Sequence, residues 1–391
     1  MLSKGERDFM GDIVIIGAGF AGLEAARVLS GKRKALGQRR IIVVDAKRTF
    51  DFLPVLPDVI SGRIPRAHAS VDLAAYLENR GVSFENAQVE SLDTNAREVR
   101  LKSGHVLSFE YVIVAPGSQT NFYGMKDLEK RALKLDSAQD AAMIQNTVCT
   151  YPEKCFVIVG GGYTGIELAT HIARLLKKRR VKKTRIHVIE RQEDILGSLP
   201  VWMKNYCRIN LCALRVALTT DVSIKESTDA FLKLSNGLEI PDYLLIWAAG
   251  VQTPDFVRQL AVPKDRQGRL ETDATLQFAP GAFVAGDAAS LASRGKPLRM
   301  SVLFSLKEGR VAAGNVVRLC LGKKDLKKYR PLDLGFLVPL SNRKACGQVF
   351  FLPIRGFIGW VLHYLMCIYR SLTWPCRLGI FADMFLDKRG I

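Results

Sequence analysis

One template of eighteen residues occurs twice in this chain, and it restricts the fold more than any other feature. DIVIIGAGFAGLEAARVL (12–29) and CFVIVGGGYTGIELATHI (155–172) each read as an apolar run, then Gly-x-Gly-x-x-Gly, then a helical stretch. Each continues to a second β-branched run ending in an acid, RIIVVD and RIHVIE. In such a unit the chain turns tightly from strand to helix, and the helix N-terminus aims backbone N–H groups at a diphosphate.

The three glycines divide the work. Gly17 and Gly160 make the turn, Gly19 and Gly162 let a diphosphate approach the backbone, and Gly22 and Gly165 let helix and strand pack closely. The closing acids, Asp45 and Glu190, stand 23 and 25 residues beyond the third glycine. The expected offset for an acid that accepts hydrogen bonds from an adenosine ribose is about 20. A lone Gly-rich turn says little, but two copies with strand, helix and acid in place predict two bound dinucleotides. A carboxylate at position 190 repels a 2′-phosphate and so favours NADH over NADPH, a preference that Arg191 next door softens.

From Asp12 to about residue 330, short β-branched runs alternate with helical stretches: DIVIIG, RIIVVD, YVIVAPG, FVIVGGG, RIHVIE, YLLIWAAG and AFVAGD. Their cores carry no charge, as strands covered on both faces require. The fold expected is α/β, with two Rossmann-like dinucleotide-binding domains built on parallel sheets.

Charge adds a partner class. Lys and Arg number 57 against 38 Asp and Glu, a net charge of +19 over 391 residues, which attracts polyanions such as anionic lipid or phosphorylated ligands. The basic runs at 31–40 and 174–185 read as solvated surface; nucleic acid is not expected, since no aromatic residues interleave with them. The eight cysteines include no Cys-x-x-Cys, so neither a zinc site nor a thioredoxin-type pair is expected. The opening MLSKGERDFMGD lacks an apolar signal core, and a reducing compartment is expected.

Beyond Pro331 the character changes. GFIGWVLHYLMCIY (356–369) carries no Asp, Glu, Lys or Arg, yet its 14 residues fall short of the ~18 that a bilayer span needs. Residues 320–391 hold 12 Lys and Arg against 4 Asp. An apolar helix with aromatic and basic edges is the pattern of an element lying in a membrane interface, here on anionic lipid. A core helix or a homodimer interface is the alternative.

Three more stretches, YVIVAPGSQTN (111–121), YLLIWAAGVQTP (243–254) and AFVAGDAAS (282–290), complete a resemblance to the two-dinucleotide-binding flavoproteins. The resemblance implies an FAD domain at 1–150 and 266–330, an inserted NADH domain at 151–265, and a C-terminal docking segment at 331–391. It implies non-covalent FAD held through Gly17, Gly19, Gly22, Asp45, Gly117 and Asp287, and NADH held through Gly160, Gly162, Gly165 and Glu190. Asp287, which the family aims at the ribityl chain, could equally be a turn or N-cap aspartate.

FLPVLPDVISG (52–62), LGFLVPLSNRKACGQ and the apolar C-terminal stretch narrow the resemblance to the type II NADH dehydrogenases, single-subunit NADH:quinone oxidoreductases that pump no protons. That family implies hydride transfer from NADH to flavin and then two electrons to a membrane quinone. It also implies a peripheral protein on the cytoplasmic face of the inner or plasma membrane. Its YTGIELA-type segment makes Glu167 a candidate catalytic acid; the plainer reading is an exposed first-turn acid favoured by the helix dipole. The chain departs from the family at Pro57, and at Leu303 and Lys307, which stand where glutamines line the quinone site. Lys307 could stabilise a developing quinolate, or be a solvated helix lysine.

Disulfide reductases of this architecture place Cys-x4-Cys just after the first unit, where this chain has none. Cys207 and Cys212 have that spacing on an expected helix, about 140° apart, and both read as packing residues. A sulfide:quinone oxidoreductase, which needs redox cysteines, is therefore the weaker alternative. An apoptosis-inducing-factor-like NAD(P)H:quinone reductase and a non-catalytic flavin- and nucleotide-binding sensor also remain.

Overall fold

The computed structural model describes residues 11–293 and 295–386. Most of the opening stretch without an apolar signal core, and the last five residues of the 331–391 segment, lie outside the described residues. The chain divides into two compact units, one of residues 1–50, 72–119 and 251–332, the other of residues 51–71, 120–250 and 333–391. The helices that frame the sites are α1 (Phe20–Ser30), α2 (Leu56–Ile60), α3 (Tyr163–Lys178), α4 (Val201–Ala213), α5 (Val302–Cys320), α6 (Phe357–Arg370) and α7 (Trp374–Phe381).

The first unit is built on a sheet in the order Gln277–Ala279, Ala282–Val284, Val106–Val114, Asp12–Ile16, Ile41–Asp45, Ser83–Asn86. All pairs are parallel except the one at the Gln277–Ala279 edge. Ile13, Val14 and Ile15 are wholly buried, so the β-branched run is covered on both faces. Helices α1 and α5 cross closely: a Cβ on Gly309 of α5 would lie 2.2 Å from the Ala21 carbonyl oxygen of α1.

The second unit has its own parallel sheet, in the order Leu133–Lys134, Tyr243–Trp247, Cys155–Val159, Arg185–Ile189, Val216–Thr219. Three antiparallel strands, Ile224–Ser227, Phe231–Leu234 and Glu239–Pro241, are attached to its chain path. All seven apolar runs singled out in the sequence form strands.

The C-terminal segment is more than an apolar helix. LGFLVPL and KACGQV form the first two strands of an antiparallel sheet, Gly335–Leu340, Lys344–Val349 and Leu352–Gly356, and α6 packs on it. Gly359 of α6 lets the helix approach, since a Cβ there would meet Ala345 Cβ and Ile354 Cγ2 at 3.3 Å each. Trp360, His363, Tyr364 and Cys367 recur at helical spacing on the buried face. Phe357, Ile358, Leu365, Met366 and Tyr369 are exposed, Tyr369 by 79%. Cys207 is buried in α4 but Cys212 is exposed, which corrects its reading as a packing residue. The 500° turned between them points Cys212 away from the sheet.

Candidate dinucleotide cradles and a buried acid cluster

Both glycine loops adopt one geometry, each within its own unit. Gly17 and Gly160 sit at φ +100° and +108°, where an L side chain is strained. A Cβ on Gly22 would lie 1.8 Å from the carbonyl oxygen of Gly17, and one on Gly165 would lie 1.8 Å from that of Gly160. The tightest contact of the third glycine is thus with the first glycine's peptide; the strand side chains Ile15 and Ile158 stand farther, at 3.3 and 3.6 Å. Gly19 and Gly162, the N-caps of α1 and α3, have ordinary extended backbones, and nothing lies within 4 Å of a Cβ built on either. The space beside these two helix N-termini is therefore open, which fits a bound diphosphate.

The closing acids hold the loops as well as ending their strands. Asp45 accepts from the backbone N–H of Ala18 at 2.7 Å and of Lys47 at 2.8 Å. Glu190 repeats this with Gly161 at 2.5 Å and Gln192 at 2.8 Å. Each carboxylate receives the residue between the first two glycines of its loop. With about four lone-pair sites per carboxylate, each can also take ribose hydroxyls.

In the first unit two further motifs meet. Gly117 turns the chain at φ +72°, and the next residue, Ser118, donates from Oγ to Asp287 Oδ2 at 2.9 Å. Asp287 lies in the short helical turn Gly286–Ala288, and burial raises its pKa despite the Ser118 donor. The sequence gave no reason to single out Glu308 of α5, yet it is buried and accepts from the Gly286 N–H at 2.8 Å. Burial, with the charge of Asp287 added, pushes its pKa up to about 8. Leu303 is half-buried and Lys307 exposed, one turn apart on one face of α5.

In the second unit Glu167 is the fifth residue of α3, one turn past the helix start, and it is half-buried. It is therefore not the exposed first-turn acid of the plainer reading. Burial, and then the charge of Asp58, push its pKa up to about 8. Asp58 of α2 is 1% exposed and accepts from the Tyr364 hydroxyl at 2.8 and 3.0 Å and from Arg63 Nη1 at 3.4 Å. Arg63 also donates to the Ser341 carbonyl, and His171 Nδ1 lies 3.0 Å from Ser61 Oγ. Only Glu167 of this group was expected. The signal that could have found more is the polar stripe Glu167, His171, Arg174 at i, i+4, i+7 on an otherwise apolar helix face.

The thiol of Cys207 has a partner the sequence did not suggest, Cys346 Sγ at 3.6 Å. That contact and burial hold the Cys207 thiol far above its ordinary pKa, in the protonated, unreactive form. Among the described residues no group of three His, Cys, Asp or Glu side chains could hold a metal ion.

Two Gly-rich cradles on two parallel sheets define a chain of the class that handles two dinucleotides. The pyridine nucleotide-disulphide oxidoreductase family model matches residues 11–309, and the chain belongs to that family. It is 27% identical over 386 residues to a demethylphylloquinone reductase of Synechocystis, covering 94% of each chain. It is 25% identical over 388 residues to a type II NADH:quinone oxidoreductase of Haemophilus influenzae, covering 87% of each. In fold it is similar to NDH2 of Plasmodium falciparum in complex with NADH, at TM-score 0.81 and 15% identity over 96% of this chain and 97% of that one. The sulfide:quinone oxidoreductase of Aquifex aeolicus shares the fold at TM-score 0.78 and 20% identity, covering 97% and 94%.

Proposed function

We propose that the chain is a flavin-dependent NADH:quinone oxidoreductase of the type II kind. FAD is held by the first cradle, through Gly17, Gly19, Gly22 and Asp45, with Gly117 and Asp287 beyond it. NADH is held by the second, through Gly160, Gly162, Gly165 and Glu190. Bound FAD supplies a two-electron carrier that accepts reducing equivalents from NADH and passes them to a quinone. The chain's own part is to bind and orient. The open N-termini of α1 and α3 take the diphosphates, and the loop-bound acids take the riboses. Glu167 keeps a carboxyl proton near neutral pH beside the second cradle.

The observation that carries the choice of acceptor is the C-terminal surface. Phe351 is 86%, Trp374 70% and Leu378 63% exposed, and the exposed residues of α6 add to them. Arg355, Arg370 and Arg377 lie among these residues, the last stacked over the Trp374 ring at 5.2 Å. No helix is long and apolar enough to cross a membrane. An apolar face of this size, with basic and aromatic residues in it, favours an interfacial resting place on anionic lipid, where a lipid-soluble quinone is at hand. No cysteine occurs between Phe50 and Ala67, which supports direct reduction of quinone without a dithiol relay. Leu303 and Lys307 remain the candidate quinone contacts. A homodimer through the same C-terminal face is the second use it could serve, and vesicle flotation separates the two. The cytoplasmic leaflet, with its anionic lipids, is the side the basic surplus fits.

The test is steady-state NADH oxidation by purified protein on liposomes, with and without menaquinone or ubiquinone analogues. Quinone-dependent turnover is expected. NADH oxidation that ignores added quinone refutes the acceptor.

A further inference from the structure

The second unit contains a carboxylate pair that the reaction as usually written does not use. Glu167, His171 and Arg174 share one face of α3, and that face meets Asp58 of α2. Asp58 has the donors: Tyr364 of α6 gives its hydroxyl to both oxygens, and Arg63 adds a guanidinium. Among the described residues no donor or cation pairs with the Glu167 carboxyl.

We infer that Asp58 and Tyr364 are positioning residues for Glu167, and that the two carboxyls together store one exchangeable proton. The asymmetry of donors decides where it sits. A negative charge on Asp58 is met by Tyr364, Arg63 and the nearby Arg174, whereas one on Glu167 is buried with only Asp58 for company. Asp58 takes the charge and Glu167 the proton.

The other groups packed around the pair do not compete for that proton. His171 lies 3.9 Å from Asp58, but the Ser61 hydroxyl donates to the Asp58 carbonyl at 3.0 Å, so it accepts from His171 Nδ1–H. That fixes the imidazole as the neutral Nδ1–H tautomer, and burial holds its pKa well below the ordinary histidine value. His363 of α6 is neutral for the same reason, its pKa lowered to about 4. Burial raises the thiol pKa of Cys367, and the Cys346 contact with burial raises that of Cys207, so both thiols stay protonated. Arg343, next to the strand Lys344–Val349, adds a cation on the side of Arg174.

The inference rests on the quinone-reductase reading for its purpose. NADH + H⁺ + quinone gives NAD⁺ + quinol, so each turnover takes one proton from water. A proton leaving Glu167 is replaced from solvent, and the acid is unchanged over the cycle. Tyr364 also ties the pair to α6, whose opposite face is the exposed apolar one, so the same helix carries both the lipid face and the donor to Asp58.

The experiment is an infrared pH titration of the purified flavin-loaded protein, following the band of a protonated carboxyl, with no NADH or quinone added. The unmodified protein is expected to lose a carboxyl band near pH 8, and Glu167→Gln to lack that transition. Asp58→Asn removes the repelling charge, so the midpoint falls by about one pH unit or more, at least a tenfold change in proton affinity. Tyr364→Phe removes the donor that stabilises the Asp58 anion, so the last proton of the pair is held more tightly and the midpoint rises. The alkaline limb of quinone reduction is expected to follow each midpoint. Midpoints that stay fixed, or that move together, overturn the inference, as does a transition that survives Glu167→Gln. If Asp58→Asn fails to fold, the upward shift in Tyr364→Phe decides alone. Failure of the quinone reading appears separately, as a titrating pair in a protein without quinone-dependent turnover.

Discussion

Gly162→Ala separates a ligand's requirement from the protein's own. Gly162 has φ −74° and ψ −171°, a conformation alanine adopts freely, and nothing lies within 4 Å of the added Cβ. Alanine is a poorer N-cap than glycine, but it loses less chain entropy on folding, and the two effects nearly cancel, leaving stability within about 0.5 kcal/mol. The methyl group instead fills the space where a diphosphate would meet the α3 N-terminus. Displacing a phosphate oxygen from one charged hydrogen bond costs about 1.5–3 kcal/mol. At about 1.4 kcal/mol per decade, KM for NADH should rise roughly ten- to a hundredfold. Steady-state NADH kinetics, with the melting temperature and flavin absorbance measured on the same preparation, test this. An unchanged KM, or a collapse in melting temperature with flavin lost, refutes the assignment of this loop to NADH.

The first cradle gives the matching case: Gly19→Ala should fold yet lose its flavin on gel filtration, read as the ratio of visible to ultraviolet absorbance. The pKa of Glu308 is raised in the fold to about 8 from an ordinary 4.5, so the folded state holds a proton that the unfolded chain releases between those values. Its contribution to stability therefore falls as pH rises through that window, by up to about 1.4 kcal/mol per pH unit. Glu308→Gln should flatten the decline of melting temperature between pH 5.5 and 8; an unchanged slope contradicts the assignment. Replacing Phe351 and Trp374 with Glu should abolish flotation with anionic vesicles while leaving turnover with a water-soluble quinone intact. Changing both Cys207 and Cys346 to Ala should leave turnover unchanged, whereas a loss without unfolding would point to a dithiol relay.

Local features were readable in the sequence, because strand, glycine loop and helix are set by neighbours in the chain. The seven apolar runs became strands, and the three glycines of each loop have the backbone freedom, open space and close contact that their spacing requires. Contacts between distant residues were not readable. Asp58 and Tyr364 are 306 positions apart, and nothing local marks either as the other's partner. The bonds from Asp45 and Glu190 back to their loops were hidden for a milder reason: the spacing identifies the acid, but its rotamer is chosen by the folded loop. LGFLVPL and KACGQV looked like the margin of an apolar helix because the turn between them, SNR, carries no glycine signal. Arg343 makes that turn at a positive φ instead.

The most direct test of the central claim is an anaerobic titration of the purified protein with NADH, monitored by visible absorbance and followed by addition of quinone. The protein should be yellow, bleach with stoichiometric NADH and recover its colour when quinone is added. A colourless protein, or a bleached one that quinone leaves bleached, contradicts it.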